Sequence, residues 1–168
     1  HGGLGKLILS LMLSLLNRYC KYRFEDLRNA MNLTSFTDYG LRMLMRMASA
    51  PDRAFSTADL AEEFKLSRNH LAKIMQRLAQ GGIVETRRGV NGGAVLRSSP
   101  ADIRLGDVVR LLEQGQSLVE CFGPDGGDCS IEGCCRLKSR LRQAERQFIA
   151  DLNRSTLADI ALPEPAAA

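Results

Sequence analysis

Four cysteines lie within a fifteen-residue segment of the second half of the chain: Cys121, Cys129, Cys134 and Cys135. Secreted disulfide-bonded domains spread their cysteines along the chain, whereas a metal or cluster site gathers them. The same segment contains the run Gly-Pro-Asp-Gly-Gly at 123–127, which is not compatible with regular secondary structure. The pattern therefore predicts a cysteine-ligated metal or iron–sulfur centre on a loop. The fifth cysteine, Cys20, is assigned no role.

The spacing of the cysteines favours an iron–sulfur cluster over zinc. Structural zinc sites usually contain Cys-x2-Cys pairs, and this chain has none. Successive side chains diverge on a helix or strand, so Cys134 and Cys135 are not both expected to reach one compact centre. We predict Cys121, Cys129 and Cys135 as ligands, with Cys134 as a less favoured candidate. A zinc site and a thiol–disulfide switch remain alternatives.

A cluster held by three cysteines needs a fourth ligand from elsewhere in the protein. An oxygen ligand would bind iron more weakly than a thiolate and would leave that iron open to small molecules. Such a site is suited to sensing rather than to electron transfer.

The segment before the cysteines has the pattern of a helix-turn-helix. After a leading helix over 34–48, a short helix begins at Ser56, and Lys65-Leu66 predicts a tight turn before a third helix capped by Ser67. The third helix would enter the DNA major groove with its first residues near the base edges, where Arg and Asn can make bidentate contacts. Its predicted DNA-contacting residues are Ser67, Arg68, Asn69, His70, Lys73 and Arg77.

A β-hairpin is predicted directly after the third helix. Strands over 83–86 and 94–96 flank a turn that contains Asn91-Gly92, a strong hairpin signal. This hairpin would form a wing, and its glycines would permit close approach to a phosphate backbone. The predicted DNA-contacting residues of the wing are Arg87, Arg88, Asn91 and Gly92.

Composition agrees with a DNA-binding protein and gives no support to an enzyme. The net charge of +4 is a mild basic excess that is compatible with a nucleic-acid partner. An aromatic content of 5% without tryptophan predicts an aliphatic, mostly helical core. The chain shows neither a nucleotide-binding glycine loop nor a catalytic Cys/His set, so we expect no enzymatic activity.

The C-terminal region predicts a dimer. A long helix over 136–153 carries an apolar stripe with alternating steps of three and four residues, as in a helix-pairing seam. Packing of this stripe against its own domain is the alternative. The stripe consists of Leu137, Leu141, Ala144, Phe148 and Leu152.

The predicted architecture is mainly α: a winged helix-turn-helix with a β-hairpin wing and a long C-terminal dimerisation helix. We expect the DNA-binding domain at 31–98, the cluster-binding loop and dimerisation helix at 99–162, and a disordered tail at 163–168. Residues 1–30 are interpreted as an upstream extension or expression remnant before a natural start at Met31. The alternative is an amphipathic anchor helix, because the apolar run at 7–16 is too short to span a bilayer.

Several stretches resemble the BadM/Rrf family of winged-helix regulators, and in particular its nitric-oxide-sensing NsrR branch. The resemblance extends over about residues 31–162. The stretches that carry it are 31–42 (MNLTSFTDYGLR), 66–71 (LSRNHL), 88–93 (RGVNGG), 117–121 (SLVEC), 135–138 (CRLK) and 156–159 (TLAD).

The resemblance implies a cytoplasmic homodimer with crossed long helices that represses genes at a palindromic DNA operator. It also implies a 4Fe–4S cluster, or a 2Fe–2S cluster, bound by Cys121, Cys129 and Cys135. Asp38, contributed by the partner subunit, matches the aspartate that can be the fourth ligand in the NsrR branch. From the residues alone, Asp38 is also simply a first-turn acid that the helix dipole favours.

Two features depart from the NsrR branch. The seven-residue gap between Cys121 and Cys129 resembles the iron-responsive RirA branch more closely, and Cys134 stands where NsrR usually has another residue. Asp38 argues for NsrR, because RirA tends to have an amide there. The expected function is therefore a repressor that releases DNA when nitric oxide attacks its cluster. An iron-availability repressor, RirA-like or IscR-like, is the alternative.

Overall fold

The computed structural model describes residues 32–87, 89, 92–123, 126, 129–131 and 134–163. The chain divides after Leu33, and the fold described below belongs to the unit that begins at Thr34. The predicted extension at 1–30, with Cys20, lies outside the described residues, as do all but the first residue of the predicted tail. Within the described part of the chain, no helix is long and apolar enough to cross a membrane.

The described residues form five α-helices and one antiparallel β-hairpin, which confirms the predicted mainly helical fold class. The first strand begins and ends one residue later than predicted, and it pairs with the second from Val84 opposite Leu96 to Arg87 opposite Gly93. The elements are α1 (Ser35–Ala48), α2 (Thr57–Phe64), α3 (Arg68–Gln80), β1 (Val84–Arg87), β2 (Gly93–Leu96), α4 (Leu105–Leu112) and α5 (Arg136–Leu152).

Local capping defines where the first helices begin. The Thr34 hydroxyl accepts a hydrogen bond from the Thr37 N–H, and the Ser56 hydroxyl accepts one from the Asp59 N–H. Both bonds satisfy backbone donors that a helix start leaves unpaired. Lys65, with a φ of 54°, makes the left-handed turn between α2 and α3. Ser67 stands at the N-cap of α3 as predicted, but its side chain forms no capping hydrogen bond.

The core is aliphatic and rich in methionine, as the composition predicts. Met43 and Leu44 of α1 and Leu71, Ile74 and Leu78 of α3 are completely buried. Met43 and Leu44 lie four and three residues before Met47, which is also buried, and the three α3 residues are three and four apart, so each helix presents one apolar face to the core. The packing fixes the orientation of α3 and leaves its opposite face in solvent.

One buried arginine joins α1 to α2. The Arg46 Nε donates to the Glu63 carboxylate at 2.9 Å, and Nη1 donates to the Ser49 hydroxyl at 2.7 Å. Two guanidinium groups contact the ring of Phe55: that of Arg46 lies 5.2 Å and that of Arg53 5.0 Å from the ring centroid. The backbone of Phe55 pairs with Ala94 of β2 through two hydrogen bonds of 2.9 Å. The hairpin is thereby attached to the chain that precedes α2.

Helix α5 is anchored at its C-terminal end. Ile149 is the only one of its seventeen residues that is buried. The Asn153 side chain, just after the helix, accepts from the Asp107 N–H and donates to the Asp107 carboxylate, both at 3.0 Å. Toward the N-terminal end, the side chain of Leu137 remains 63% exposed. Of the apolar stripe of α5, Leu137 and Ala144 are exposed, whereas Leu141, Phe148 and Leu152 are half-buried, so its own domain covers the stripe only in part.

Candidate nucleic-acid interface and metal centre

The first turns of α3 present three of the predicted DNA-contacting side chains to solvent. Arg68, Asn69 and Lys73 are all exposed, while the buried face of the same helix holds it against α1 and α2. Arginine and asparagine can read guanine and adenine through paired hydrogen bonds, and lysine can bind phosphate as a point charge. This geometry agrees with a recognition helix that enters a DNA groove.

His70 differs from its neighbours on α3, because it packs against α1. Its ring centroid lies 6.0 Å from that of Phe36 and 5.4 Å from that of Tyr39, and the side chain is half-buried. From the sequence His70 is predicted as a DNA contact, with a structural histidine as the alternative. Its position four residues before the buried Ile74 is the signal that assigns it to the edge of the apolar stripe. In this structure His70 is a contact between α3 and α1.

Arg77, near the end of α3, is held by a residue that follows α4. Its Nη1 donates to the Gln114 side-chain oxygen at 3.1 Å. The adjacent residue, Glu113, accepts from both the N–H and the hydroxyl of Thr34, at 2.8 and 3.0 Å. Two consecutive residues after α4 therefore contact the end of α3 and the beginning of α1. Sequence analysis missed both residues, because contacts at separations of 37 and 79 residues leave no periodic signal.

The hairpin has the tight turn expected of a wing. The Gly92 N–H donates to the Gly89 carbonyl at 2.9 Å, and a Cβ on Gly92 would come within 2.6 Å of the Arg87 carbonyl oxygen. Gly92 is thus required by the close approach of two backbone segments. Arg87 is exposed at the end of β1, with its Nε 3.7 Å from the Glu85 carboxylate. Arg88 and Asn91 lie outside the described residues.

All four cysteines of the candidate metal centre are free thiols. Cys121 lies in a short 3-10 turn (Glu120–Phe122), and Cys135 is the N-cap of α5. Cys121, Cys129 and Cys135 are half-buried, whereas Cys134 is exposed and its thiol contacts the Ile131 carbonyl at 3.6 Å. The donor set fits a cluster in kind, since thiols are the groups that ligate iron–sulfur centres.

The structure does not bring the predicted ligands together. Among the described residues, no three His, Cys, Asp or Glu side chains are grouped so that they could hold a metal ion. Binding by Cys121, Cys129 and Cys135 would thus require the cysteine segment to rearrange around the bound group. The assignment of these three ligands stays a prediction.

Asp38, the predicted fourth ligand, forms an ion pair within its own helix. Its carboxylate receives two contacts from Arg42, 2.7 Å from Nη2 and 3.1 Å from Nε. The Asp38 and Arg42 side chains are 45% and 55% exposed. The carboxylate is therefore accessible on the surface of α1, and iron would have to displace Arg42 from it.

An open pocket of about 340 Å³ adjoins Cys135 on one side of α5. The guanidinium carbon of Arg142 lies 5.1 Å from the centre of the Phe122 ring, which is one residue after Cys121. The N-terminal half of α5 is thus connected to the beginning of the cysteine segment. The pocket is lined by Cys135, Lys138, Ser139, Arg142 and Arg146.

The family follows from comparison with known proteins. A model of the Rrf2 family, described as an iron-dependent transcriptional regulator, matches residues 33–162. The chain belongs to the Rrf2 family. This confirms the resemblance at the level of the family and covers most of the chain, whereas assignment to the NsrR branch stays a prediction.

Three solved structures show the same fold. IscR of T. potens is 25% identical, with a TM-score of 0.60 over 78% of this chain and 86% of that one. A transcriptional regulator from Listeria innocua is 31% identical, with a TM-score of 0.59 over 77% and 85%. CymR, the global cysteine regulator of B. subtilis, is 26% identical, with a TM-score of 0.59 over 78% and 96%.

These relatives establish what the chain does in general terms. The chain is a DNA-binding transcription regulator and not an enzyme, and Rrf2 regulators typically dimerise. The winged-helix fold is also confirmed. The similar structures include the global cysteine regulator CymR as well as IscR, so the fold alone does not identify the signal.

The two neighbouring residues Asn69 and His70 are expected to respond differently to replacement by alanine. Asn69→Ala should leave the free energy of unfolding within about 0.5 kcal/mol, because the side chain is exposed. It should weaken binding to an operator selected from randomised duplexes by about 1–3 kcal/mol, the value of a lost bidentate base contact.

His70→Ala should lower the free energy of unfolding by about 0.5–1.5 kcal/mol, because it removes the ring contacts with α1. Urea denaturation measures the free energy of unfolding of each variant, and fluorescence anisotropy measures its affinity for the operator. A His70→Ala variant with wild-type stability would contradict the packing role of His70.

Proposed function

We propose that this Rrf2 regulator is a cytoplasmic repressor that senses nitric oxide through a cysteine-ligated iron–sulfur cluster and then releases a palindromic operator. The observation that carries the proposal is the position of the free thiols. The cysteine segment begins seven residues after Gln114, which with Glu113 contacts α3 and α1, and it ends at Cys135, the N-cap of α5. A chemical change in this segment can therefore reach both the DNA-binding helices and the dimerisation helix.

Cys121, Cys129 and Cys135 would hold the cluster, 4Fe–4S or alternatively 2Fe–2S, with Asp38 of the partner subunit as the fourth ligand. An iron bound by an oxygen ligand supplies an exchangeable site for nitric oxide. Cys134 is the less favoured candidate ligand; its exposure and its contact with the Ile131 carbonyl support a position outside the ligand set. An iron-availability-responsive repressor of the same family, RirA-like or IscR-like, is the main rival, because the family model is that of an iron-dependent regulator and the gap between Cys121 and Cys129 resembles the RirA branch.

The proposed response depends on contacts that differ between two states of the chain. Glu113 and Gln114 contact the start of α1 and the end of α3 although the thiols of the described residues are not assembled, and binding of a ligand that orders the segment would reinforce this arrangement. Without the ligand bonds, that arrangement loses part of its stabilisation, and the population shifts away from the DNA-competent state. A difference of about 1.4 kcal/mol changes operator affinity tenfold, so the loss of a few hydrogen bonds is sufficient.

The partly exposed apolar stripe of α5 supports a homodimer. The helix is seventeen residues long and buries only Ile149 within its own domain, while Leu137 is 63% exposed. A second copy of the chain with the same stripe would bury both faces at once, as in a paired-helix seam. A dimer also places two recognition helices side by side, which matches a palindromic operator.

Nitric oxide and an iron chelator should have different effects on operator binding. The full chain, loaded anaerobically with iron and sulfide, is mixed with its operator, and fluorescence anisotropy follows each titration. We expect release at a few nitric oxide molecules per cluster, with slow or no release by the chelator. Cys121→Ala should fail to retain iron, whereas the matched Cys134→Ala should retain it. Release by chelator together with persistence in nitric oxide would reject this signal and favour iron availability.

Asp38→Ala should keep the cluster but weaken the response to nitric oxide, because three cysteines still bind iron while the link to the partner is lost. The measurement is the nitric oxide concentration that releases half of the operator, at equal iron content. Asp52→Ala is the matched control, since Asp52 is an exposed acid in the turn after α1. An identical nitric oxide response in the two variants would show that Asp38 has no role in signalling.

Leu137→Asp should weaken dimerisation. A fully buried leucine contributes about 1.5–3 kcal/mol, so the dissociation constant of the dimer should rise tenfold or more. Gln143→Asp is the control, because Gln143 is exposed on another face of α5. Sedimentation velocity over a range of concentrations measures both variants. Equal dimer stability in Leu137→Asp and wild type would place the dimer interface elsewhere.

A further inference from the structure

The open pocket beside α5 has a basic and polar lining. Among the described residues that line it, Arg142 and Arg146 stand together with Lys138, Ser139 and Cys135, and none of the five is acidic. Arg142 and Arg146 are four residues apart, so they project from one face of the helix with a rise of about 6 Å between them. A volume of about 340 Å³ is at the lower end of the range that small ligands occupy, about 300–1,000 Å³. The lining and the size together fit a small anion.

We propose that this pocket binds the phosphate or diphosphate group of a small molecule, and that Arg142 and Arg146 hold it. The fork of N–H donors in an arginine side chain matches two oxygens of a phosphate group at once. The pocket lies outside the winged helix, and binding of an anion there requires neither a cluster nor DNA. This site goes beyond the proposed function, because it would give the regulator a second chemical input.

Both arginines are accessible to a ligand. Their side chains are exposed, and within the described part of the chain neither forms an ion pair with a carboxylate. The guanidinium carbon of Arg142 lies 5.1 Å from the centre of the Phe122 ring. A cation over an aromatic ring needs no N–H donor for that contact, so the donors of Arg142 remain available to oxygen atoms. Lys138 has a further interaction of its own, so the anion is assigned to the two arginines.

The contact with Phe122 also prepares Arg142 for binding. A long side chain that is already held against a ring loses less rotational freedom when a ligand arrives, which lowers the entropic cost of binding. Phe122 belongs to the Glu120–Phe122 turn at the start of the cysteine segment. An anion held by Arg142 would therefore favour the arrangement in which α5 and this turn are in contact.

The first half of α5 carries a charge pattern that helix stability does not explain. The positive end of the helix dipole favours acidic residues in the first turn, and α5 has none there. Instead, five of the eleven residues from 136 to 146 are basic and one is acidic. Arg142 and Arg146 also repel each other, as like charges four residues apart on a helix do. A positive potential that attracts an anion accounts for the pattern.

DNA is the other source of phosphate for a basic face of a transcription regulator. The concave shape of the site favours a small molecule, because protein–DNA contacts extend over a broad surface, whereas these two arginines line a pocket. Affinity for a DNA duplex is therefore measured beside affinity for a small anion.

The test is calorimetric titration of the full, reduced chain with sodium pyrophosphate at constant ionic strength. The pocket variant Arg142→Gln/Arg146→Gln removes both arginines from the pocket. Arg136→Gln/Arg140→Gln is the matched control, because it removes two exposed cations of the same helix that do not line the pocket. Circular dichroism verifies that both variants fold. Fluorescence anisotropy with a non-operator duplex measures affinity for the DNA backbone.

We expect wild type and the control to bind one pyrophosphate per chain with equal affinity. The pocket variant should bind about tenfold more weakly or worse, because it loses hydrogen bonds between charged groups. Absence of saturable pyrophosphate binding to the wild-type chain would overturn the site. An equal loss in both variants would also overturn it, because affinity would then follow the overall charge of the helix. A pocket variant that keeps its affinity for pyrophosphate but loses affinity for the duplex would instead assign this face to DNA.

Discussion

The close packing of α4 against three other helices is the constraint on which the rest of the structure depends. A Cβ added to Gly40 of α1 or to Gly81 after α3 would overlap leucine side chains of α4, and one added to Gly106 of α4 would overlap the Ile149 carbonyl of α5. These glycines allow α4 to approach all three helices closely, and interiors packed at this density deform in steps rather than continuously. Helix α4 is also the last described helix before the cysteine segment. The position of that segment is therefore tied to the helices that would contact DNA and to the helix that would form the dimer.

Regular elements were predictable from local patterns, and their mutual contacts were not. Helices, caps and the hairpin follow from periodicity and from residues such as Thr34, Ser56 and Gly92, each of which acts within a few positions. The bond from Arg77 to Gln114 joins residues that share no pattern, so its existence depends on tertiary packing. His70 is intermediate: its spacing from Ile74 indicates burial, but its polarity and its position near the start of α3 favoured an outward position.

At the candidate metal centre, too, the residue types were predictable from the sequence, whereas their positions relative to one another were not. The identity and clustering of the thiols are visible in sequence, and the structure adds that they are free and that three of them are half-buried. No group of three metal-binding side chains is assembled in the described part of the chain, because thiols on an irregular segment have no backbone ladder to hold them at fixed distances. Binding energy would then be needed to order the segment, and metal binding commonly couples to local folding in this way. Under the proposed function, such a segment would lose this order together with its ligand, as a sensor requires.

The magnitudes of two contacts indicate which path carries the signal. The Asp38–Arg42 pair is exposed and spans one helical turn, so it contributes only about 0.3–0.5 kcal/mol, and its replacement by an iron ligand costs little. A chain of contacts does join Arg42 to α3. Its guanidinium lies 5.8 Å from the ring centroid of Tyr39, and Tyr39 contacts His70 of α3. The Asp38–Arg42 pair by itself is too weak to impose a large population shift, so the effect predicted for Asp38→Ala would come from the bond of Asp38 to the cluster. Glu113 accepts two hydrogen bonds as a charged group, each worth about 1.5–3 kcal/mol, and together with Gln114 it is the stronger connection between the cysteine segment and the DNA-binding helices.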